Sequence, residues 1–228
     1  MAYEDLAGRL AAVRERIARA QVRGGVAHPV TIIAVTKGHG SDAVHAAIAA
    51  GLADVGENRV QEAIAKQAAV GASPVAWHLI GSLQRNKARQ AVGRFQLIHS
   101  VDREDLVHEL DRRAASASRQ RILVEVNCSG EPEKGGVALE AAPALVAAIL
   151  DRPGLEFRGL MTMAALSEDE PVQRAAFGRL RSLKETLERS GVQVAELSMG
   201  MSGDFETAVE EGATMVRLGT ILFGRREP

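Results

Sequence analysis

The chain has 228 residues, a length that suits one α/β barrel, and 46% of them are hydrophobic, which is enough for a large core. The formal net charge of −1 excludes the strong electrostatic field with which many proteins attract nucleic acid or anionic lipid. The single cysteine, Cys128, excludes an intrachain disulfide and indicates a reducing compartment. Because the sequence shows neither a signal-peptide pattern nor an apolar run of membrane-spanning length, we expect a cytoplasmic protein.

The chain begins with a predicted amphipathic helix over residues 3–22, in which apolar residues recur at helical spacing. Short apolar runs then predict strands at 31–36, 53–56, 76–81, 96–101, 121–127, 156–163, 194–200 and 214–219. Helical patterns lie between these runs at 42–51, 59–70, 84–93, 103–118, 138–150, 172–191 and 205–213. This alternation, without a long linker, predicts a single (β/α)8 TIM barrel domain over residues 1–228 with an extra N-terminal helix. A doubly wound open sheet is the alternative.

Lys37 follows the first predicted strand and would stand at the barrel mouth, where enzymes of this fold place their active sites. The chain has five lysines against 23 arginines, so the position of a single lysine is informative. One interpretation is a strand-end lysine that extends to solvent or pairs with Glu57. The other is an amine among apolar neighbours, where desolvation lowers the pKa and favours the neutral form that attacks a carbonyl to form a Schiff base.

Two later loops combine glycine with hydroxyl residues, after the seventh and eighth predicted strands. Gly200 and Ser202 lie in the first loop, and Gly219 and Thr220 lie in the second. Barrel enzymes commonly hold a phosphate at these two loops. A ligand with both an aldehyde and a phosphate could react with the amine and occupy the phosphate-binding loops. Pyridoxal 5′-phosphate (PLP) is such a ligand. Arg217, in the last strand, points either into the barrel or outward to the helices.

Long motifs in this sequence resemble those of the pyridoxal phosphate homeostasis proteins, the YggS/PROSC family. The motifs are IIAVTK (32–37), GENRVQEA (56–63), WHLIGSLQRNK (77–87), RGLMTMA (158–164), LSMGMSGDFETAVEEGATMVRLGT (197–220) and ILFG (221–224). The family is a single barrel similar to the N-terminal domain of alanine racemase. The resemblance implies that PLP is bound to Lys37, that Asn58 lies near the pyridoxal ring and that Arg217 faces the ring nitrogen. It also implies a phosphate site made by Ser202, Gly219 and Thr220.

This chain departs from the family pattern close to the lysine. The family commonly has a TKTHP-like segment there, whereas this chain has TKGHG, with glycine at positions 38 and 40. The family also often has histidine at the position of Ser82. We expect Gly38 and Gly40 to affect the conformation of the loop that carries Lys37.

The resemblance implies a protein without established turnover that holds PLP and serves in its intracellular homeostasis and delivery. Apo PLP-dependent enzymes would be the recipients, and we expect a monomer with no metal site and no nucleic-acid or membrane partner. A weak PLP-dependent amino-acid racemase is the alternative, in which His39 or Cys128 would replace the missing second base, since Tyr3 is expected to be remote from the site. A module that binds RNA or protein through the basic helix 84–94 is a third hypothesis.

Overall fold

The computed structural model describes residues 3–114, 119–131, 134–165, 167 and 169–224. The strands in these ranges are β1 (Thr31–Val35), β2 (Asp54–Glu57), β3 (Ala76–Leu79), β4 (Leu97–Val101), β5 (Gln120–Asn127), β6 (Val137–Ala138), β7 (Leu155–Met161), β8 (Glu196–Ser198) and β9 (Met215–Leu218). The helices are α1 (Leu6–Gly24), α2 (Ser41–Ala49), α3 (Val60–Val70), α4 (Ala88–Ala91), α5 (Glu104–Arg113), α6 (Ala142–Leu150), α7 (Glu170–Arg189), α8 (Phe205–Glu210) and α9 (Thr220–Phe223).

Eight of the strands form a closed parallel barrel. Their order is β4-β3-β2-β1-β9-β8-β7-β5, and pairing between β4 and β5 closes the ring. Each of the eight predicted strands is present, and the prediction of a TIM barrel with an extra N-terminal helix is confirmed. The short β6 pairs with the end of β5. It was not predicted, because two residues within a glycine-rich loop carry no period of their own.

Several predicted helix boundaries were wrong for local reasons. The 84–93 segment forms one 3₁₀ turn (Arg85–Lys87) followed by the four-residue α4, and Gly93 follows in the left-handed region at φ 75°. Helix α1 runs two residues further than predicted and ends against Gly25 at φ 65°. Helix α7 begins two residues early because proline is well tolerated in a first helical turn. Of the predicted helix 103–118, residues 115–118 lie outside the described ranges.

Apolar side chains fill two separate spaces. The larger cluster lies between the strands and the surrounding helices. The smaller cluster fills the barrel interior and consists of Ile33, Leu97, Leu123, Met161 and Met215. Within the described part of the chain, no helix combines the length and apolarity that a membrane span needs. The interior is only partly apolar, since histidine, serine and arginine side chains share it with this cluster.

Helix α1 packs on α8 and α9, so its first residues lie near the C-terminal ends of the strands. Ion pairs fix this packing: Arg16 pairs with Glu206 at 3.0 Å, and Arg23 pairs with Glu210 at 2.6 Å. Gly24 is needed at the contact, because a Cβ there would lie 2.6 Å from the Glu210 backbone. The N-terminal helix therefore braces the part of the barrel that follows β8 and β9.

A buried ion pair links the ends of β1 and β2 to α3. The Lys66 ammonium donates to Glu57 Oε1 at 2.5 Å and to the carbonyl oxygen of Thr36 at 2.7 Å. The Thr36 hydroxyl donates to the same Glu57 oxygen at 2.5 Å. Glu57 is fully buried, so its negative charge depends on these donors.

We predict that Lys66→Met lowers the free energy of unfolding by about 3–5 kcal/mol, because it leaves the Glu57 carboxylate buried without its cation. Urea unfolding measures this loss. The double variant Glu57→Gln/Lys66→Met should lose clearly less, since no charge then remains. An equal or larger loss in the double variant would contradict the assignment of the cost to the unpaired charge.

Candidate functional site

Lys37 leaves β1 on the side of the barrel interior. Ile33 on β1 belongs to the interior cluster, and the strand period of two places Val35 and then Lys37 on the same side. Thr36, between them, turns outward to Glu57. Lys37 itself is half-buried. The alternative partner considered for it, Glu57, is bound to Lys66 and Thr36 instead.

Asn58 lies next to Lys37 at the barrel mouth, because the two residues follow neighbouring strands. Val35 pairs with Gly56, so Lys37 and Asn58 follow at the same distance beyond the pair. Gly81, after β3, packs on the Asn58 backbone so closely that a Cβ would overlap the Asn58 carbonyl oxygen. The half-buried Asn58 is thus held between the lysine-bearing strand end and the next loop.

The turn after Lys37 has a backbone conformation that favours glycine. Gly38 has φ 74°, in the left-handed region that side chains with a Cβ rarely adopt. Gly40 has φ −74°, which any residue can adopt, and a Cβ there would meet chiefly the Asp42 side chain. The departure from the family pattern at position 38 therefore accompanies a specific backbone conformation, whereas the one at position 40 does not.

Tyr3 contacts the same turn, contrary to the expectation that it would be remote. Its hydroxyl oxygen lies 3.1 Å from His39 Nδ1, and the Tyr3, His39 and Phe223 rings pack against one another with centroids 5.6–5.9 Å apart. Burial and the Asp42 carboxylate raise the pKa of Tyr3. The expectation failed because the predicted helix 3–22 carried no information on which end of the barrel its first residues would reach.

The loops after β8 and β9 meet through Ser202. Its hydroxyl oxygen accepts a hydrogen bond from the backbone amide of Ile221 at 3.3 Å. Gly219, at the start of α9, approaches the end of β1 so closely that a Cβ would lie 3.3 Å from the Val35 carbonyl oxygen. Thr220 next to it is exposed. The structure thus brings Ser202, Gly219 and Thr220 together, close to the strand that carries Lys37.

The β8–α8 loop is shaped by a glycine and an aspartate. Gly200 has φ 93°, and a Cβ there would lie 2.6 Å from Ala208. Asp204, just before α8, makes no side-chain cap for that helix, and its Oδ1 accepts from the Met201 amide behind it at 2.5 Å. Burial raises the pKa of Asp204, which faces the positive charge of Arg217.

Arg217 points into the barrel, which decides between the two orientations left open by the sequence. Nη1 donates to the carbonyl oxygen of Ser198 at 2.7 Å and to its hydroxyl oxygen at 2.8 Å, and Nη2 donates to the carbonyl oxygen of Thr162 at 2.9 Å. Only 4% of the residue is exposed. Burial lowers the pKa of Arg217 to about 10, while Asp204 and Glu125 act in the opposite direction. The guanidinium therefore stays charged at neutral pH.

Glu125, a buried carboxyl on β5, carried no functional signal in the sequence. It lies two residues after the interior residue Leu123 and is 5% exposed. Burial, together with the nearby Asp102 carboxylate, raises the pKa of Glu125 to about 7. The alternation along β5 could have placed it inside the barrel, although neither its pKa nor its proximity to Arg217 can be read from one strand.

Cys128 and the basic 84–94 segment show little suitability for the roles considered for them. Cys128 is 1% exposed within the larger core cluster, and burial raises the pKa of its thiol to about 11. It is therefore a weak candidate for a second base at neutral pH.

The 84–94 segment lacks the continuous helix on which the hypothesis of RNA or protein binding depended, because only Arg85–Ala91 is helical in two short pieces.

We predict that Gly38→Ala lowers the free energy of unfolding by about 1–2 kcal/mol, the usual cost of left-handed backbone for a residue with a Cβ. Gly40→Ala is the matched control and should lose less, because its backbone conformation is open to alanine. Urea unfolding of both variants makes the comparison. A similar loss in both would mean that the left-handed turn after Lys37 is not the constraint.

Comparison with known proteins agrees with this arrangement. Residues 9–227 match the family model described as alanine racemase, N-terminal domain. The pyridoxal phosphate homeostasis protein of Pseudomonas aeruginosa is 43% identical over 98% of this chain and 95% of its own length. That of Aquifex aeolicus is 41% identical over 96% of this chain and 97% of its own length.

A solved structure of a related protein has the same fold as this chain. PipY of Synechococcus elongatus, determined with PLP bound, is 38% identical and superimposes with a TM-score of 0.83 over 96% of this chain and 100% of its own. The match thus extends over nearly the whole chain. The chain belongs to the pyridoxal phosphate homeostasis protein family, within the alanine racemase N-terminal domain fold.

Proposed function

We propose that the protein binds PLP at the barrel mouth and serves in the homeostasis and delivery of this cofactor. The carrying observation is the convergence of three elements at one end of the barrel: the strand end with Lys37, the joined loops of Ser202 and Gly219, and the buried guanidinium of Arg217. The family membership and the PLP bound to PipY support the proposal. Residues 1–228 would act as one PLP-binding domain, as a monomer in the cytoplasm.

Each part of PLP has a chemically suitable counterpart among these residues. Lys37 would form a Schiff base with the aldehyde, and Asn58 would lie near the ring. The phosphate would be held by hydroxyl and backbone amide groups of Ser202, Gly219 and Thr220. Arg217 would face the ring nitrogen and, as a charged donor, oppose protonation of that nitrogen. The chemistry that bound PLP supplies is electron withdrawal from the carbon next to its imine, and an unprotonated ring supplies it weakly.

We further propose that the protein releases PLP to apo PLP-dependent enzymes and does not turn over a substrate of its own. Weak racemase activity is the second candidate, and the match to the alanine racemase N-terminal domain is the observation that favours it. Inversion needs proton donors on both faces of the ring. Cys128 is buried, and His39 lies against Tyr3 on the same turn as Lys37, so a group on the opposite face has no evident source among them.

The first test locates the covalent attachment. We predict that PLP added to the protein gives a band in the visible range and that borohydride fixes the cofactor on Lys37. Peptide mass mapping identifies the modified residue, and Lys37→Ala should abolish the band while the circular dichroism spectrum stays that of a folded barrel. Modification of another lysine, such as the buried Lys66, would refute the assignment.

The second test concerns the phosphate. We predict that Ser202→Ala and Thr220→Val each weaken PLP binding by roughly tenfold or more, because each removes a hydrogen bond to a charged acceptor worth about 1.5–3 kcal/mol. Pyridoxal without phosphate should bind more weakly and respond little to either change. Ser190→Ala is the matched control, since its hydroxyl donates to the Leu187 carbonyl at the end of α7, away from these loops. Equal losses of affinity for PLP and for pyridoxal would show that the two hydroxyls do not contact the phosphate.

The third test separates a carrier from a racemase. We predict that, in deuterium oxide, the α-proton of only one alanine enantiomer exchanges, and that inversion is slower by the factor of about 10²–10⁴ that general acid–base assistance supplies. Nuclear magnetic resonance follows exchange, and chiral chromatography follows inversion. Interconversion of the enantiomers at an ordinary enzymatic rate, about 1–10³ per second, would favour the racemase.

A further inference from the structure

A continuous line of hydrogen bonds crosses the barrel interior from Asp54 to Arg217, and we call it the interior chain. Asp54 Oδ1 lies 2.9 Å from His78 Nε2, and His78 Nδ1 lies 3.0 Å from His99 Nε2. His99 Nδ1 lies 2.9 Å from the Ser198 hydroxyl oxygen, which Arg217 Nη1 reaches at 2.8 Å. The inner members are buried, whereas 27% of the Asp54 side chain is exposed at the opposite end of the barrel from the mouth.

When both imidazoles are neutral, the two ends of the interior chain fix the direction of every hydrogen bond in it. A guanidinium only donates and a carboxylate only accepts. Ser198 Oγ therefore accepts from Arg217, and it gives its own hydrogen to His99 Nδ1 when that nitrogen carries none. A neutral His99 then carries its hydrogen on Nε2 and donates to His78 Nδ1.

The same reasoning reaches the last bond. With its Nδ1 accepting, His78 carries its hydrogen on Nε2 and donates to Asp54. Two neutral imidazoles of the same tautomer thus give each ring nitrogen one defined role. A second hydrogen on His99 would leave the Ser198 hydroxyl with two donors and no acceptor in the chain.

The surroundings of His99 agree with a neutral ring. It is fully buried, and burial, His78 and the charge of Arg217 together hold the pKa of His99 well below its ordinary value. A positive imidazole at this position would face the Arg217 cation across a single hydroxyl group. A positive charge on His99 is therefore disfavoured while Arg217 is charged.

We propose that Ser198, His99, His78 and Asp54 position Arg217 by keeping the Ser198 hydroxyl oriented as its acceptor, and thereby hold the guanidinium as a donor toward the ring nitrogen of bound PLP. This inference rests on the proposed function. With Nη1 held by the hydroxyl and carbonyl of Ser198 and one bond of Nη2 to Thr162, the guanidinium plane is fixed at three points. The four residues would act through Arg217 and touch no cofactor atom themselves.

The first measurement needs no cofactor. Long-range proton–nitrogen correlation spectra of the apoprotein at neutral pH show which ring nitrogen of a histidine carries hydrogen. We expect hydrogen on Nε2 and none on Nδ1 in both His78 and His99. A hydrogen on Nδ1 of His99 would overturn the proposal, because the Ser198 hydroxyl could then no longer donate to it.

The second measurement asks whether the interior chain acts on the ring nitrogen. Binding of PLP is compared with binding of its 1-deaza analogue, in which a C–H group replaces that nitrogen. We expect His99→Leu to weaken PLP binding by about tenfold and to affect the analogue far less. His99→Gln keeps one acceptor and one donor in an uncharged side chain, so it should restore most of the affinity for PLP. Equal losses for the two ligands would reduce His99 to a structural role and overturn the proposal.

A matched pair of serines keeps the test decisive if His99→Leu does not fold. Ser198 and Ser100 are both buried on barrel strands, but the Ser100 hydroxyl donates to the Gly81 carbonyl and not to the interior chain. Ser198→Ala should lower the preference for PLP over the analogue, and Ser100→Ala should leave that preference unchanged. The same change in both variants would overturn the proposal. Failure of the unmodified protein to bind PLP would refute the proposed function instead, while the tautomers would still decide the direction of the chain.

Discussion

The positive charge of Arg217 inside the barrel is the constraint on which the site depends. A buried cation costs several kcal/mol unless hydrogen bonds and opposite charges compensate it. Here the direct acceptors are neutral oxygens of Ser198 and Thr162, and the carboxyls of Asp204 and Glu125 act from further away. This arrangement keeps the guanidinium charged without neutralising it by a contact ion pair, so its field remains available to a ligand above it.

The barrel satisfies its buried charges in two different ways on its two sides. Outside the strands, Glu57 and Lys66 form a contact pair that joins β1 and β2 to α3. Inside the strands, Arg217 is linked to Asp54 through the hydrogen bonds of the interior chain. The outer pair mainly fixes the strand end from which Lys37 follows, whereas the inner groups leave room for the apolar cluster around Ile33. The ion pair outside the strands therefore fixes a strand end, and the interior chain places a line of hydrogen-bonded side chains through the barrel.

Much of the fold and of the site followed from strand-end positions in the sequence. The apolar runs predicted the eight barrel strands, and the rule that function lies after each strand selected Lys37 and the two glycine–hydroxyl loops. The roles proposed for Asn58 and for Arg217 rest on the family resemblance. Residues that act only in pairs could not be found in this way. His99 and Ser198 are 99 positions apart, and their contact exists only because the barrel closes.

The position of Tyr3 has a consequence for the movement of the mouth. Because Tyr3 lies just before α1 and packs on His39, fraying of the first turn of that helix would remove this contact from the turn that follows Lys37. Helix ends are the least stable parts of most folds and open many times before the whole molecule unfolds. The opening of the N-terminal helix, a surface element that lies outside the barrel, would therefore release the turn beside this mouth from one of its contacts.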